Sequence, residues 1–410
     1  MSAALPMTRS NRGFQWYWSG AAASAMGDRV TGFAVPSIAI LVLDASGTQV
    51  GVLAAMGWLA YPALGVVAGA LVTSLPRRGV MVVGELVRFT AFATVPLVAA
   101  LGYLTVGWLF VVVAVAGVAT VFVDIAGFVY LPTLIGPDHL VGANSRLQST
   151  DSLSKLVGPA LAGGLMNALG PFTGLLLGSL PFLGSACGRA RLPRAAVGST
   201  VRSGSIGHRI RQGLDFVRHH DVLRGLVIAS AVRNFGTGAV DAVLLLFAYR
   251  ALGLSSLTGG LLLAAGAVGA IAGAFAVRGM TARLGVRRVL LVTGLEGLSW
   301  LAVPLCLVAP ALPLLVAIRV FSSFWMPTWN VVTTSVRQAL TPDDRQGTVH
   351  AAVRTAMSST IPLGSVIGGV AGGALSAHLG PAPGLVLVLV AGGACAGLSV
   401  ALINRVAARL

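Results

Sequence analysis

Residues 106–130 read VGWLFVVVAVAGVATVFVDIAGFVY, an apolar run whose one charged residue is Asp124. At about 1.5 Å of rise per residue, such a run crosses a hydrocarbon core of about 30 Å as a single α-helix. The same reading applied outward along the chain finds spans at 15–43, 49–73, 80–102, 106–130, 146–169, 172–190, 222–249, 256–278, 287–308, 312–336, 350–376 and 384–404. The composition agrees: 56% of the 410 residues are hydrophobic, and the charged share is 10%, where a soluble domain carries about 25%. The sequence therefore predicts an all-α membrane protein of twelve transmembrane helices in two pseudo-symmetric six-helix bundles.

The net charge of +16 invites a nucleic-acid reading, but no basic stretch has the context of a DNA- or RNA-binding module. The arginines alternate by side instead. Arg9, Arg12, Arg77, Arg78, Arg146, the group from Arg189 to Arg218, Arg278, Arg283, Arg287, Arg288, Arg345, Arg405 and Arg409 fall on one set of connections. The turns near Ser46, Thr105, Gly170, Ala309 and Pro381 carry none, with Arg250 the one exception. The positive-inside rule then places both termini and the central loop in the cytoplasm, as a multi-pass protein of the cell membrane.

The expected organisation is a cytoplasmic N-terminal tail over 1–14, a six-helix bundle over 15–190, a linker over 191–221, a second bundle over 222–404 and a cytoplasmic tail over 405–410. In the linker, Ile206, Ile210, Leu214, Phe216 and Val217 alternate with Arg209, Arg211 and Arg218, the pattern of an interfacial amphipathic helix. The halves look duplicated. Arg77 and Arg78 recur as Arg287 and Arg288, Gly158 as Gly368, and Gly170-Pro171 as Gly380-Pro381, always 210 residues apart. Duplicated six-helix units are a transporter signature.

Polar residues in four spans keep a helical period. They are Ser24, Asp28 and Thr31; Thr120 and Asp124; Ser230, Asn234, Thr237 and Asp241; and Arg319, Ser322, Ser323, Met326, Asn330, Thr333 and Arg337. Residues three and four apart share a helix face. A mid-bilayer carboxylate costs about 2.5–3.5 kcal/mol unless it meets water or a partner. These stripes are therefore expected to face one aqueous chamber, with Phe33, Phe128, Phe235, Trp325 and Trp329 as aromatic walls. Asp28, Asp124, Asp241 and Glu296 are the candidate proton-coupling residues. Ser24, Thr31, Phe33, Thr120, Phe128, Asn234, Phe235, Arg319, Trp325, Met326, Trp329 and Asn330 are the candidate cavity residues. Pairing of these acids with Arg29, Arg233 and Arg319, and simple packing of the tryptophans, are the alternative structural readings. Glu85, three residues before Arg88, reads as a local ion pair.

The strings Ala25-Met26-Gly27-Asp28-Arg29-Val30, Val123-Asp124-Ile125-Ala126, Ala143-Asn144-Ser145-Arg146-Leu147-Gln148, Gly158-Pro159-Ala160-Leu161-Ala162-Gly163-Gly164 and Arg337-Gln338-Ala339-Leu340-Thr341-Pro342 resemble the major facilitator superfamily. Within it the chain resembles the exporter branch that holds enterobactin exporters and macrolide efflux proteins. The resemblance implies two halves rocking about a central small-molecule site, and a monomer; protons as coupling ion are inferred from Asp28 and Asp124 alone, since helix 4 lacks the arginine that many proton antiporters of the superfamily carry there. It also implies conformational roles for Gly69, Arg77, Arg78, Gly158, Pro159, Gly163, Arg287 and Arg288. The loop Gly69-Ala70-Leu71-Val72-Thr73-Ser74-Leu75-Pro76-Arg77-Arg78 departs from the family's pattern, in which an acidic and a basic residue stand where Thr73 and Ser74 do.

The expected function is proton-coupled efflux of a bulky amphipathic organic molecule. Uptake of a small solute, or a transport-impaired sensor or scaffold, are the alternatives. No HExxH, GxSxG or phosphate-binding glycine loop points to an enzyme, and neither a metal nor a cofactor is expected.

Overall fold

The computed structural model describes residues 12–136, 139–193, 215–342, 349, 353–354, 356–357 and 359–407. The elements in order are α1 (Arg12–Leu41), α2 (Gly47–Ser74), α3 (Arg77–Ala100), α4 (Val106–Ile135), α5 (Leu140–Leu169), α6 (Pro171–Ala190), α7 (Asp221–Leu246) continued by a π-turn (Phe247–Ala251), α8 (Ser256–Val292), α9 (Leu295–Trp300), a 3-10 turn (Val303–Leu307), α10 (Ala311–Leu340), α11 (Thr360–Leu379) and α12 (Pro381–Ala407). Among the described residues, eight helices are long and apolar enough to cross a membrane: α3, α4, α6, α7 with its π-turn, α8, α10, α11 and α12. Helices α1, α2 and α5 match them in length, at 28 to 30 residues. Most of the expected amphipathic linker helix lies outside the described residues; 215–219 is helical.

The ninth expected span, 287–308, is not one helix. Gly285 leaves the helical region at φ 74°, so α8 bends there, about two turns before its end. The chain then breaks again at Thr293 and Gly294, and at Leu301 and Ala302. Pro304 has no N–H for an α-helical bond, and the chain tightens to a 3-10 turn around it. Glycine also brings α9 close to α12: a β-carbon on Gly297 would lie 2.6 Å from the carbonyl oxygen of Gly393.

The chain forms two compact units. One gathers Met1–Leu43 and Ala60–Arg202, the other Asp44–Leu59 and Ser203–Leu410. The turn after α1 and the first half of α2 thus belong to the second unit, whereas the expected boundary put all of 15–190 together. In the first unit α1 packs on α5 and α6, and α3 on α4 and α6. In the second, α7 packs on α11 and α12, and α9 on α10 and α12. This is the same pattern shifted by six helices.

The duplication reaches individual contacts. A β-carbon on Gly158 would sit 2.3 Å from that of Arg29, and one on Gly368 would sit 2.6 Å from the Cα of Ala239. One on Gly174 would meet the backbone of Met166 at 2.8 Å, and one on Gly384 that of Ser376 at 2.5 Å. Each pair repeats at an offset of 210. Without a hydrophobic drive between helices in lipid, close backbone approach over glycine is what holds such seams.

Inside the second unit, Gly47 and Gly51 of α2 meet α11 in the same way, each within 2.8 Å of backbone atoms of Ser365, Gly369 or Gly373 once a β-carbon is added. Just before them Asp44 adopts φ 47°, a conformation that aspartate tolerates better than most residues. Its carboxylate accepts from Arg250 Nη2 at 2.5 Å, and Arg250 also donates to the carbonyl of Ala45 at 2.8 Å. Arg250, the exception to the charge pattern, has a partner. The pair is largely exposed, so Arg250→Gln is expected to cost no more than about 1 kcal/mol, read as a thermal unfolding shift in detergent.

Candidate functional site

In the first unit, α1, α3 and α6 converge on a buried ionic cluster. Arg88 is 1% exposed. Its Nη1 donates to Ser24 Oγ at 3.0 Å and to Glu85 Oε2 at 3.3 Å, and its Nη2 bonds Asp28. The guanidinium carbon lies 4.0 Å from the centre of the Phe182 ring. Glu85 accepts from Ser185 Oγ at 3.0 Å and pairs with Arg189 of α6 at 3.2 Å. Two carboxylates face two guanidiniums, so the cluster is neutral where desolvation would make a net charge costly. The side chain of Asp28 remains 41% exposed, and through it the cluster meets the surface of the unit.

Asp124 is separate from this cluster. It is exposed on α4, and its Oδ2 accepts from the Tyr61 hydroxyl of α2 at 2.6 Å. Phe128, one turn further along the same face, is 81% exposed. Thr120, one turn earlier, donates to the carbonyl of Ala116 at 2.8 Å.

In the second unit, Arg233 of α7 bonds Glu296 of α9, and its guanidinium lies 4.6 Å from the centre of the Trp329 ring of α10. Glu296 is the counterpart of Glu85, displaced by one residue, but its cation comes from the first helix of the repeat rather than from the third and last. Asp241 pairs with Arg319 across α7 and α10 at 3.4 Å. Asn234 Nδ2 donates to the carbonyl of Met357 at 3.0 Å.

The structure redistributes several of the expected cavity residues. Thr31 and Phe33 are buried, the threonine donating to the carbonyl of Gly27 at 2.8 Å, so neither lines an open surface of its unit. Trp325 and Trp329 are also buried and serve as packing. Trp325 lies edge-on to Phe321 and Phe324, and Trp329 joins the core with Val222, Leu226, Val289 and Val332. The polar stripe on α10 is accordingly split. Ser322 and Thr333 share the buried face with the tryptophans, whereas Met326 and Asn330 are exposed on the neighbouring face. Phe235 is half-buried, and its carbonyl would lie 1.9 Å from a β-carbon on Gly364.

Arg29 does not pair with Asp28. It bonds Asp151 of α5 at 2.8 Å, beside Lys155 at 2.6 Å. Of the residues with expected conformational roles, Arg78 bonds the carbonyl of Ala190, the last residue of α6, where a cation suits the helix C-terminus. Arg287 donates to Asn404 of α12 at 3.3 Å, tying the same two places in the second repeat, and Arg288 is exposed. Arg77 is half-buried. A β-carbon on Gly69 would meet nothing within 4 Å, while Pro159 and Gly163 are buried along α5. The reach of Arg88 to Asp28, the role of Arg189 and the Tyr61 contact were not anticipated. The Glu85–Arg88 spacing was the one signal for the cluster, since the other partners are distant in sequence.

Comparison with known proteins agrees with this architecture. The family model described as transmembrane secretion effector, MFS_3, matches residues 2–408. The chain is 26% identical over 333 residues to the uncharacterized MFS-type transporter y4rN of Sinorhizobium fredii (strain NBRC 101917 / NGR234), covering 77% of this chain and 79% of the relative. It is 25% identical over 364 residues to the multidrug efflux pump Tap of Mycolicibacterium fortuitum, covering 86% and 87%. Among solved structures, a bacterial homologue of the iron transporter ferroportin in an inward-facing state superposes with a TM-score of 0.75 at 18% identity, over 97% of this chain and 99% of that one. A bacterial homologue of the lysosomal transporter Spinster gives 0.76 at 13% identity, over 98% and 97%. These two likenesses concern the fold. The chain belongs to the transmembrane secretion effector family and is a multi-pass membrane transporter of the major facilitator superfamily.

Proposed function

We propose that this transporter exports bulky amphipathic organic molecules across the cytoplasmic membrane by alternating access, in exchange for protons. The observation that carries the reading is the pair of exposed carboxylates on long helices of the first unit, Asp28 and Asp124. Carboxylates within spans are costly, and where they persist they serve ion or substrate pathways. Asp28 is bonded to a buried guanidinium that also holds Ser24 and Glu85, so a change in its charge acts on α1 and α3 directly and, through the Glu85–Arg189 pair, on α6. The efflux activity named for the relative Tap supports the direction of transport, and the distribution of arginines supports cytoplasmic termini.

Efflux of ethidium from cells, and its uptake into everted vesicles under an imposed proton gradient, test the proposal. The wild-type chain is expected to move ethidium only with the gradient. The double variant Asp28→Asn, Asp124→Asn is expected to lose gradient-driven movement. Unchanged transport in that variant removes the coupling. Accumulation in intact cells would establish uptake instead, and absence of transport for any probe would leave a sensor or scaffold.

A further inference from the structure

Asp28, Glu85, Asp151, Asp221, Asp241 and Glu296 each have an arginine or lysine within 4.0 Å. Among the described residues of the long helices, Asp124 is the carboxylate that has none. Tyr61 supplies a neutral hydroxyl to Oδ2, and no described residue donates to Oδ1. Arg88 lies within electrostatic reach, but its charge is already matched by Asp28 and Glu85. Glu85 and Tyr17, the other titratable groups that feel Asp124, bring no positive charge.

The surroundings of this anion are aromatic. Phe128 follows one turn later on the same face and is almost wholly exposed, and Tyr61 is 42% exposed on α2. Residues four apart on a helix stand about 6 Å from each other, the distance over which an aromatic face attracts a cation. Asp124 lies within the span, 18 residues from the start of the 30-residue α4 and 11 from its end. An uncompensated carboxylate within a span is disfavoured, so the position calls for a counter-charge that comes and goes.

From this arrangement we infer that Asp124, Phe128 and Tyr61 form a recognition site for a lipophilic organic cation, an ammonium or phosphonium centre carrying apolar arms. The carboxylate supplies the charge and Phe128 the face over which an arm or the cationic centre lies. A hard metal ion is a poor fit. It needs several oxygen ligands, and the site offers one carboxylate and one phenol; no group of three or more metal-binding side chains is found among the described residues. The inference rests on the efflux reading and narrows its substrate class to cations.

The test is binding of radiolabelled tetraphenylphosphonium to the full chain in lipid nanodiscs, with tetraphenylborate, of nearly the same shape and opposite charge, as competitor. Asp124→Asn is expected to weaken binding by roughly 30-fold or more, the loss typical of removing one partner of a desolvated charge pair. Asp124→Glu retains the charge and is expected to stay within a few-fold of wild type. This variant separates loss of charge from loss of folding. Phe128→Leu is expected to weaken binding about 3- to 10-fold, and Asp221→Asn, a surface pair with Arg224, to leave it unchanged.

Wild-type levels of binding in Asp124→Asn overturn the inference. So do equal losses in Asp124→Asn and Asp124→Glu, displacement by the borate as effective as by the phosphonium, or no binding by the wild type. Efflux is scored separately. Binding without efflux of any probe would remove the transport reading and leave the site standing. Efflux of neutral compounds alone, without phosphonium binding, would do the reverse.

Discussion

Replacing Arg88 by alanine is expected to destabilise the protein by about 3–5 kcal/mol, the cost of breaking a buried ion pair from one side. The variant strands Glu85, which is fully buried, with Arg189 as its remaining cation, and leaves Asp28 without its partner. It also removes the contact with Phe182, which wedges against Gly27 of α1. Three helices lose their common tie. The measurement is thermal unfolding of purified protein in detergent, followed by the loss of helical circular dichroism. Arg88→Met combined with Asp28→Leu removes one charge of each sign and is expected to be less damaging than Arg88→Ala alone. A melting temperature unchanged in Arg88→Ala would show that the cluster contributes nothing to the fold.

The second large effect is expected where α8 crosses α10. A β-carbon on Gly269 would stand 2.0 Å from the carbonyl oxygen of Val320, and one on Gly273 1.9 Å from that of Phe324. Both obstacles are helix backbone, which cannot rotate aside as a side chain can, so the helices must separate. Overpacking of this kind costs about 1–3 kcal/mol per site, and Gly269→Ala with Gly273→Ala should therefore lower the melting temperature more than either alone. The displacement would also pull Arg319 from Asp241 and expose Trp325, read as a red shift in tryptophan emission. Gly279→Ala in the same helix is the control, since its β-carbon meets nothing within 4 Å. Equal melting temperatures for the seam variant and this control would mean that α8 and α10 are not held by backbone contact.

Particular residues show how far the site was legible in advance. Glu85 and Arg88 are three apart on one helix, so their pairing follows from helical geometry alone. Asp28 belongs with Arg88, 60 positions away, and the adjacent Arg29, which sequence offers as its partner, turns to Asp151. Adjacent helix residues point about 100° apart, so neighbours in sequence rarely share a partner. The same rotation misled the reading of α10. Trp325 and Trp329 are one position from Met326 and Asn330, yet the tryptophans are buried and the other two exposed. A polar or aromatic stripe identifies a periodic face; which neighbour covers that face depends on helix packing.

What the sequence determined by itself was the class and the repeat. Long apolar runs admit helices in lipid and little else, because hydrocarbon offers no partner for an open backbone. An offset of 210 residues carries the glycines of two seams, Gly158 and Gly174, to Gly368 and Gly384. Tertiary structure decided which charge meets which. It placed the first half of α2 with the second unit, broke the ninth span at Gly294 and Leu301, gave Arg250 its aspartate and left Asp124 with no cation within 4.0 Å among the described residues. The physical reason is range: hydrophobic length and helical period are local properties of the chain, whereas a buried ion pair forms only where folding brings distant side chains to within a few ångströms.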